Sequence, residues 1–326
     1  MGKDGDAVRR RARRQVAFRR RCPQARSMGA EPVRSSCAFN NPASETKMTF
    51  KTIVVRLDTG THAANRLDAA VALAERFDAH LRGVYSEFTL DPRFYYQADS
   101  AHRYDMSLAE VCRARRESVE HVFRERLAAT KLAHDWLASE TTGGSSIIPY
   151  ARCADLTIVG QHDPNEPDAY LADRFPESTI MGAGGPVLVW PRTGASSPLD
   201  GTAVVAWDGC REAARAAFDA LAFLRRAKRV DIVSVRADGE SFLGDGRAAS
   251  DLARSLIRHS VHVNVVERSV RREADVESAL TSYMSSASAR LLVMGAFHHG
   301  RVREILLGGL TRAALREADL PVLMSN

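Results

Sequence analysis

The residues best suited to chemistry are glycines near the end of the chain that lie between an apolar run and a helical pattern. Gly295 follows the apolar residues 291–294, and Gly308-Gly309 comes directly before Leu310-Thr311 and an Ala/Leu-rich stretch. A glycine pair at the start of a helix leaves the first backbone amides uncovered, and the positive end of the helix dipole attracts anions. The spacing therefore predicts a phosphate site at the start of the last helix.

Ionisable side chains lie between these glycines and after an earlier apolar run. Asp208-Gly209 follows another apolar run, and His298, Arg301 and Arg303 lie between the glycines. Cationic side chains would neutralise phosphate charge. A histidine at a position that needs positive φ is disfavoured, however. A tight turn between strand and helix explains the glycines equally well, so both interpretations stay open.

Catalytic and metal-binding motifs are not found in the sequence. It contains no G-x-S-x-G and no G-x-x-x-x-G-K-[ST] pattern, and the adjacent His298-His299 does not have the order of the H-x-G-H motif of nucleotidyl transferases. The five cysteines include no C-x-x-C and no histidine spacing typical of zinc. We therefore predict no catalytic residue and no metal site, with reduced thiols in the cytoplasm.

Alternating strand and helix patterns must position these residues, and the patterns occur twice. Residues 154–160 and 186–190 recur 135 residues later, as 289–295 and 321–324. Residues 53–58 recur 150 residues later, as 203–208. Such alternation predicts parallel strands with right-handed crossovers. The predicted fold class is α/β, with two tandem doubly wound five-stranded parallel sheets and helices on both faces. The predicted domains are 48–193 and 199–326.

The charge is concentrated in the first 47 residues. They hold 12 Lys/Arg against 4 Asp/Glu, a net of +8, so the total of +6 leaves −2 for residues 48–326. We therefore expect no nucleic-acid partner for the folded part, and a disordered Arg-rich extension over residues 1–47. Apolar runs are only as long as a strand, which predicts no membrane span.

The first repeat has a different loop after its fourth strand. Gly160 is followed by Gln161-His162-Asp163-Pro164-Asn165-Glu166-Pro167-Asp168, which has no glycine, two prolines without amide donors and three added carboxylates. This loop would repel phosphate. The predicted site therefore lies in the second domain alone, and Asp58 is interpreted as a strand-capping residue.

Together these residues resemble the universal stress protein family, in its tandem form, over residues 48–326. The resemblance is based on the strands that end at Asp58 and Asp208, the glycine after each fourth strand, the Gly-rich loop and the Pro-Val-Leu endings. It implies an adenine nucleotide alpha-hydrolase-like fold. In nucleotide-binding members, a glycine, two residues, a glycine and nine residues precede a glycine with Ser or Thr. Here the four positions hold Gly295, His298, Gly308 and Gly309.

The resemblance also implies a function. Asp208 would lie near adenine and ribose, the Val235 backbone would read the base, and Gly309, Leu310 and Thr311 would complete the phosphate site. The expected ligand is ATP or a related adenine nucleotide, with Mg, and at most slow ATP hydrolysis. The alternative is a stress-associated interaction protein that binds no nucleotide. The closing strands would pair inside one chain, which leaves a further homodimer open.

Overall fold

The computed structural model describes residues 49–86, 101–138, 147–165, 175–193, 199–237, 249–297 and 309–326. These belong to one compact unit, Lys47–Asn326. We call the described residues up to 193 the first half and those from 199 the second half. The predicted disordered extension, residues 1–47, lies outside the described residues.

The first half alternates strands and helices. Its elements, in chain order, are β1 (Thr52–Leu57), α1 (Ala63–Phe77), β2 (His80–Tyr85), α2 (Ala101–Ala128), β3 (His134–Ala138), α3 (Ile148–Ala151), β4 (Leu156–Gly160), α4 (Phe175–Ala183) and β5 (Val187–Trp190).

The second half follows the same plan. Its elements are β6 (Thr202–Ala206), α5 (Arg211–Asp219), α6 (Leu221–Leu224), β7 (Arg229–Ala237), α7 (Ala249–Arg258), β8 (Val263–Val270), a 3-10 turn (Glu273–Asp275), α8 (Val276–Ser286), β9 (Ala289–Gly295), α9 (Gly309–Glu317) and β10 (Val322–Ser325). The pattern of residues 212–226 predicts one helix, but the chain breaks it at Ala220, where φ is −81° and ψ is −2°.

All strands of the described residues join one ten-stranded sheet, in the order β3-β2-β1-β4-β5-β10-β9-β6-β7-β8. Strands within each half are parallel, and the order in one half mirrors that in the other. The two predicted sheets are therefore joined edge to edge. The junction is the antiparallel pair β5–β10, with Leu188 opposite Leu323. The closing strands thus pair inside one chain, as the sequence predicts, and a homodimer would need another surface.

The inner strands of the sheet are buried on both faces, because they are apolar on both, whereas the outer strands β3 and β8 are largely exposed or half-buried. On β1, Ile53 and Val55 belong to one core cluster, and Val54 belongs to the cluster on the opposite face. The first cluster continues through both halves: the Phe77 ring of α1 lies 5.0 Å from Phe50 and 5.3 Å from Phe223 of α6. Both halves therefore contribute to this first core cluster.

None of the described helices is both long enough and apolar enough to cross a membrane.

Candidate functional site

Asp208 lies two residues after the carboxyl end of β6 and is exposed. Its Oδ1 accepts a hydrogen bond of 2.9 Å from the Cys210 backbone amide. Gly209 between them has φ of +80°, a conformation that favours glycine. In an open parallel sheet ligands bind beyond the carboxyl ends of the strands. The tight turn therefore presents the Asp208 carboxylate at the edge where a ligand would bind.

The first turn of α5 begins directly after this turn. Cys210 is the N-cap, and its Sγ accepts a hydrogen bond of 3.3 Å from the Ala213 amide. Burial, and then the hydrogen bond to Asp208, raises the pKa of the Cys210 thiol to about 12. The thiol is therefore uncharged near neutral pH and serves as a cap.

A second carboxylate, Glu212, lies in the same turn and is buried, with 2% of its surface exposed. Burial alone would raise the pKa of Glu212, but hydrogen bonds from its own amide, from Arg211 and from Cys210 lower it. Arg211 Nη2 lies 2.8 Å from Glu212 Oε1. The start of α5 therefore holds an ionised carboxylate whose charge is offset by a neighbouring arginine.

Gly295 ends β9, the strand next to β6. A Cβ added to Gly295 would lie 2.6 Å from the Glu212 carbonyl carbon and 2.9 Å from Glu212 Cβ. The backbone of α5 therefore packs directly on this glycine. The sequence suggests that a bound group approaches Gly295, whereas the structure shows that the first turn of α5 does so.

The other predicted site residues lie on β7 and α9. Val235 is half-buried on β7 and pairs with Arg268 of β8, two residues before β7 ends. The pairing of β7 with β6 ends at Val233, so Val235 lies beyond it on the β6 side. Gly309 and Leu310 open the nine-residue helix α9, and Thr311 in its first turn is buried.

Two predicted residues, His298 and Gly308, lie outside the described residues. The structure brings Asp208 and Gly295 to the same end of adjacent strands, with α5 between them. The described residues contain no group of three or more His, Cys, Asp or Glu side chains suited to a metal ion.

The corresponding place in the first half is filled by arginine. Asp58 precedes Asp208 by 150 residues, and Arg66 Nη2 lies 2.9 Å from Asp58 Oδ2. Arg56 forms a second ion pair with Asp58, and Arg66 Nε donates to the Arg56 carbonyl over 2.9 Å. Burial alone would raise the pKa of Asp58, but Arg56, Arg66 and the Gly60 amide lower it to about 2.

Both guanidinium groups are also packed against neighbouring elements. Arg56 stacks over the Phe175 ring at 4.1 Å and donates to Ser86 Oγ over 3.2 Å. A Cβ on Gly160 would lie 3.2 Å from Arg66 Cζ. Among the described residues of the first half, the two arginine side chains therefore occupy this place, and Asp58 pairs with arginine rather than merely capping its strand.

Alanine takes the place of both arginines in the second half. Ala206 and Ala216 stand 150 residues after Arg56 and Arg66. Sequence reasoning missed the two arginines, although the charge of Arg56 inside the apolar run of β1 was a signal. The second half therefore has no guanidinium at these two positions to pair with Asp208.

Comparison with known proteins assigns the second half to a family. Residues 201–326 match the model of the universal stress protein family. No curated protein matches the chain.

Solved structures share the fold. A universal stress protein from Archaeoglobus fulgidus DSM 4304 is 14% identical, with 84% of this chain and 96% of that chain covered and a TM-score of 0.58. A protein from Pseudomonas aeruginosa UCBPP-PA14 assigned to the same family is 15% identical, with 85% and 93% covered and a TM-score of 0.50. A universal stress protein in complex with cAMP is 18% identical, with 44% and 99% covered and a TM-score of 0.31.

Proposed function

We propose that the second half, whose residues 201–326 match the model of the universal stress protein family, binds ATP or a related adenine nucleotide. The nucleotide lies beyond the carboxyl end of β6, beside the exposed Asp208. The protein acts in the stress response through this binding, in the cytoplasm. No residue is assigned a catalytic role, and slow ATP hydrolysis is the most that the site would support.

The observation that carries this proposal is the contrast between two aspartates. Asp58 is mostly buried and paired with Arg56 and Arg66, whereas the equivalent Asp208 is exposed and the equivalents of the two arginines are alanines. A carboxylate accepts hydrogen bonds from hydroxyl and amino groups, the donors that ribose and adenine carry. Asp208 is thus suited to hold the nucleoside part of the ligand, and the Val235 backbone, past the β6 pairing, is suited to the base.

The phosphates would bind at the first turn of α9. The helix begins at Gly309 and is nine residues long, so its first amides and its dipole both favour an anion. Thr311 contributes a hydroxyl in the same turn. Magnesium usually binds through phosphate oxygens and few protein ligands. We therefore propose that it arrives with the nucleotide.

The test is a melting experiment on the full chain with millimolar ATP, ADP, AMP or cAMP. A ligand at about 100 times its Kd stabilises the folded state by roughly 2.7 kcal/mol and raises the melting temperature accordingly. Asp208→Asn should reduce the shift because the amide replaces one acceptor with a donor. Asp251→Asn, on the exposed face of α7 beside Arg254, is the matched control and should keep the shift.

The alternative is an interaction protein of the same fold that binds no nucleotide. It is favoured by the two carboxylates, Asp208 and Glu212, that lie four residues apart at one helix start. Like charges near a phosphate weaken its binding. An unchanged melting temperature with every nucleotide would support this alternative and contradict the proposal.

A further inference from the structure

The segments that follow β4 and β5 in the first half contact the end of α9 in the second half. Gln161 Nε2 donates to the Ala318 carbonyl over 3.2 Å, and Arg192 Nη2 donates to the Arg316 carbonyl over 3.3 Å. The last carbonyl groups of a helix have no partner within it, and a cation near them also interacts favourably with the dipole. Two side chains of one half thus cap a helix of the other.

These two side chains are fixed to each other and to their own half. Gln161 Oε1 accepts from the Arg192 amide over 3.3 Å and from Arg192 Nε over 3.4 Å. Arg192 Nη1 lies 3.2 Å from Asp163 Oδ1. Asp163 is mostly buried and also lies 3.3 Å from His62 Nε2. The cap is therefore part of a connected network and does not consist of two independent surface contacts.

The network lies where the sequence predicts a loop unable to bind phosphate. The equivalent of Gln161 in the second half is Ala296, 135 residues later. Its methyl side chain cannot donate the matching hydrogen bond. This contact runs in one direction, from the first half to α9.

We propose that Gln161 and Arg192 are positioning residues for the nucleotide site of the second half. By holding the C-terminal end of α9, they fix the axis of the helix whose first turn receives the phosphates. A nine-residue α-helix is only about 14 Å long and moves as a rigid rod. A tilt at its last turn therefore displaces the first. This inference rests on the proposed nucleotide binding, and it gives the first half a role in that binding.

The experiment compares a double variant with a control variant of the full chain, and adds the single variants Arg192→Met and Arg192→Lys. The first combines Gln161→Met with Arg192→Met, which keeps unbranched side chains at both positions and removes their donors. The control is Arg152→Met, because Arg152 Nε donates to the Gly182 carbonyl over 3.0 Å in the last turn of α4, the counterpart of α9 in the first half. Both variants lose an arginine cap on a helix end. Only the first alters α9.

The readouts are the Kd for ATP by calorimetry and hydrogen exchange across α9. We expect the double variant to bind ATP about tenfold more weakly and to exchange faster in α9, within the range by which residues outside a site modulate coupling. Arg152→Met should keep the wild-type Kd. Arg192→Lys, which retains a cationic donor, should restore most of the affinity relative to Arg192→Met.

Three results would overturn the inference: an unchanged Kd in the double variant, an equal loss in Arg152→Met, or no restoration by lysine. Absence of ATP binding to the wild-type chain would overturn the proposed function itself. The wild-type titration thus separates the two failures.

Discussion

Arg66 Nη2 lies 2.9 Å from Asp58 Oδ2. The equivalent position in the second half is Asp208, which is exposed. Arg66 is itself buried, with 4% of its surface exposed. A buried guanidinium needs a partner, because an isolated buried charge is costly. Asp58 supplies that partner, and the ion pairs stabilise the fold of the first half. The equivalent Asp208 of the second half is exposed and accepts a hydrogen bond from the Cys210 amide.

The Asp58 ion pairs predict acid sensitivity. The pKa of Asp58 is lowered from 3.8 to about 2 in the folded state. The ionised Asp58 carboxylate therefore stabilises the folded state by about 2 kcal/mol when the pH is above its unfolded-state pKa. This stabilisation is lost as the pH falls from about 4 toward 2. Asp58→Asn should therefore be less stable than wild type by about that amount at pH 7 in urea unfolding.

The difference in unfolding free energy between the wild type and Asp58→Asn should shrink below pH 4. The control is Asp78→Asn, because Asp78 is exposed beside Lys51 and surface ion pairs contribute little. A constant difference from pH 7 to pH 3 would show that the charge of Asp58 is not responsible.

Gly295 should tolerate no side chain. Its Cβ position meets the backbone of α5, which cannot move as a flexible side chain would. Gly295→Ala should cost about 1 to 3 kcal/mol of unfolding free energy, as overpacking typically does. Gly185→Ala is the matched control, because the nearest atom to its Cβ would be the Ala154 carbonyl oxygen at 3.7 Å, an ordinary contact. Equal stability of the two variants in urea would contradict the packing of α5 on β9.

Cys210 should resist alkylation while Cys153 reacts. The thiolate is the nucleophile, and a pKa of about 12 leaves almost none of it at pH 8. Cys153 is exposed. After iodoacetamide treatment of the folded chain, peptide mass spectrometry should find Cys153 modified and Cys210 unmodified. Rapid modification of Cys210 before unfolding would show that its cap on α5 is not formed.

The shared core predicts that both halves unfold together. Phe223 of the second half packs on Phe50 and Phe77 of the first half. Phe223→Ala should cost about 3 to 5 kcal/mol, the usual range for a buried phenylalanine. Calorimetry should still show one transition at a lower temperature. Phe218→Ala, at a ring that is 39% exposed, should cost much less. Two separated transitions in the wild-type chain would contradict the shared core.

The sequence predicts most of the fold because each apolar run is bounded by turn residues. Residues 52–57 are predicted as a strand and form β1 with the same bounds. Other strand ends differ between the prediction and the structure. The pattern ends the second strand of the second repeat at Val235, but β7 continues to Ala237. The additional pairing with β8, which depends on tertiary structure, extends it.

The site was harder to predict than the fold. Arg56 and Arg66 lie ten residues apart, on a strand and a helix, and only the packing of α1 brings both to Asp58. The contact of Arg192 with Arg316 spans 124 residues and depends on the junction between the halves. Neither relationship has a local sequence pattern. The loop after Gly160 indicated from the sequence that the halves differ, but only the structure shows these two contacts.

The most direct test of the central claim is a calorimetric titration of the full chain with ATP and magnesium. The account predicts saturable binding of one nucleotide per chain, weakened by Asp208→Asn. Two nucleotides per chain, or no binding to the wild-type protein, would contradict it.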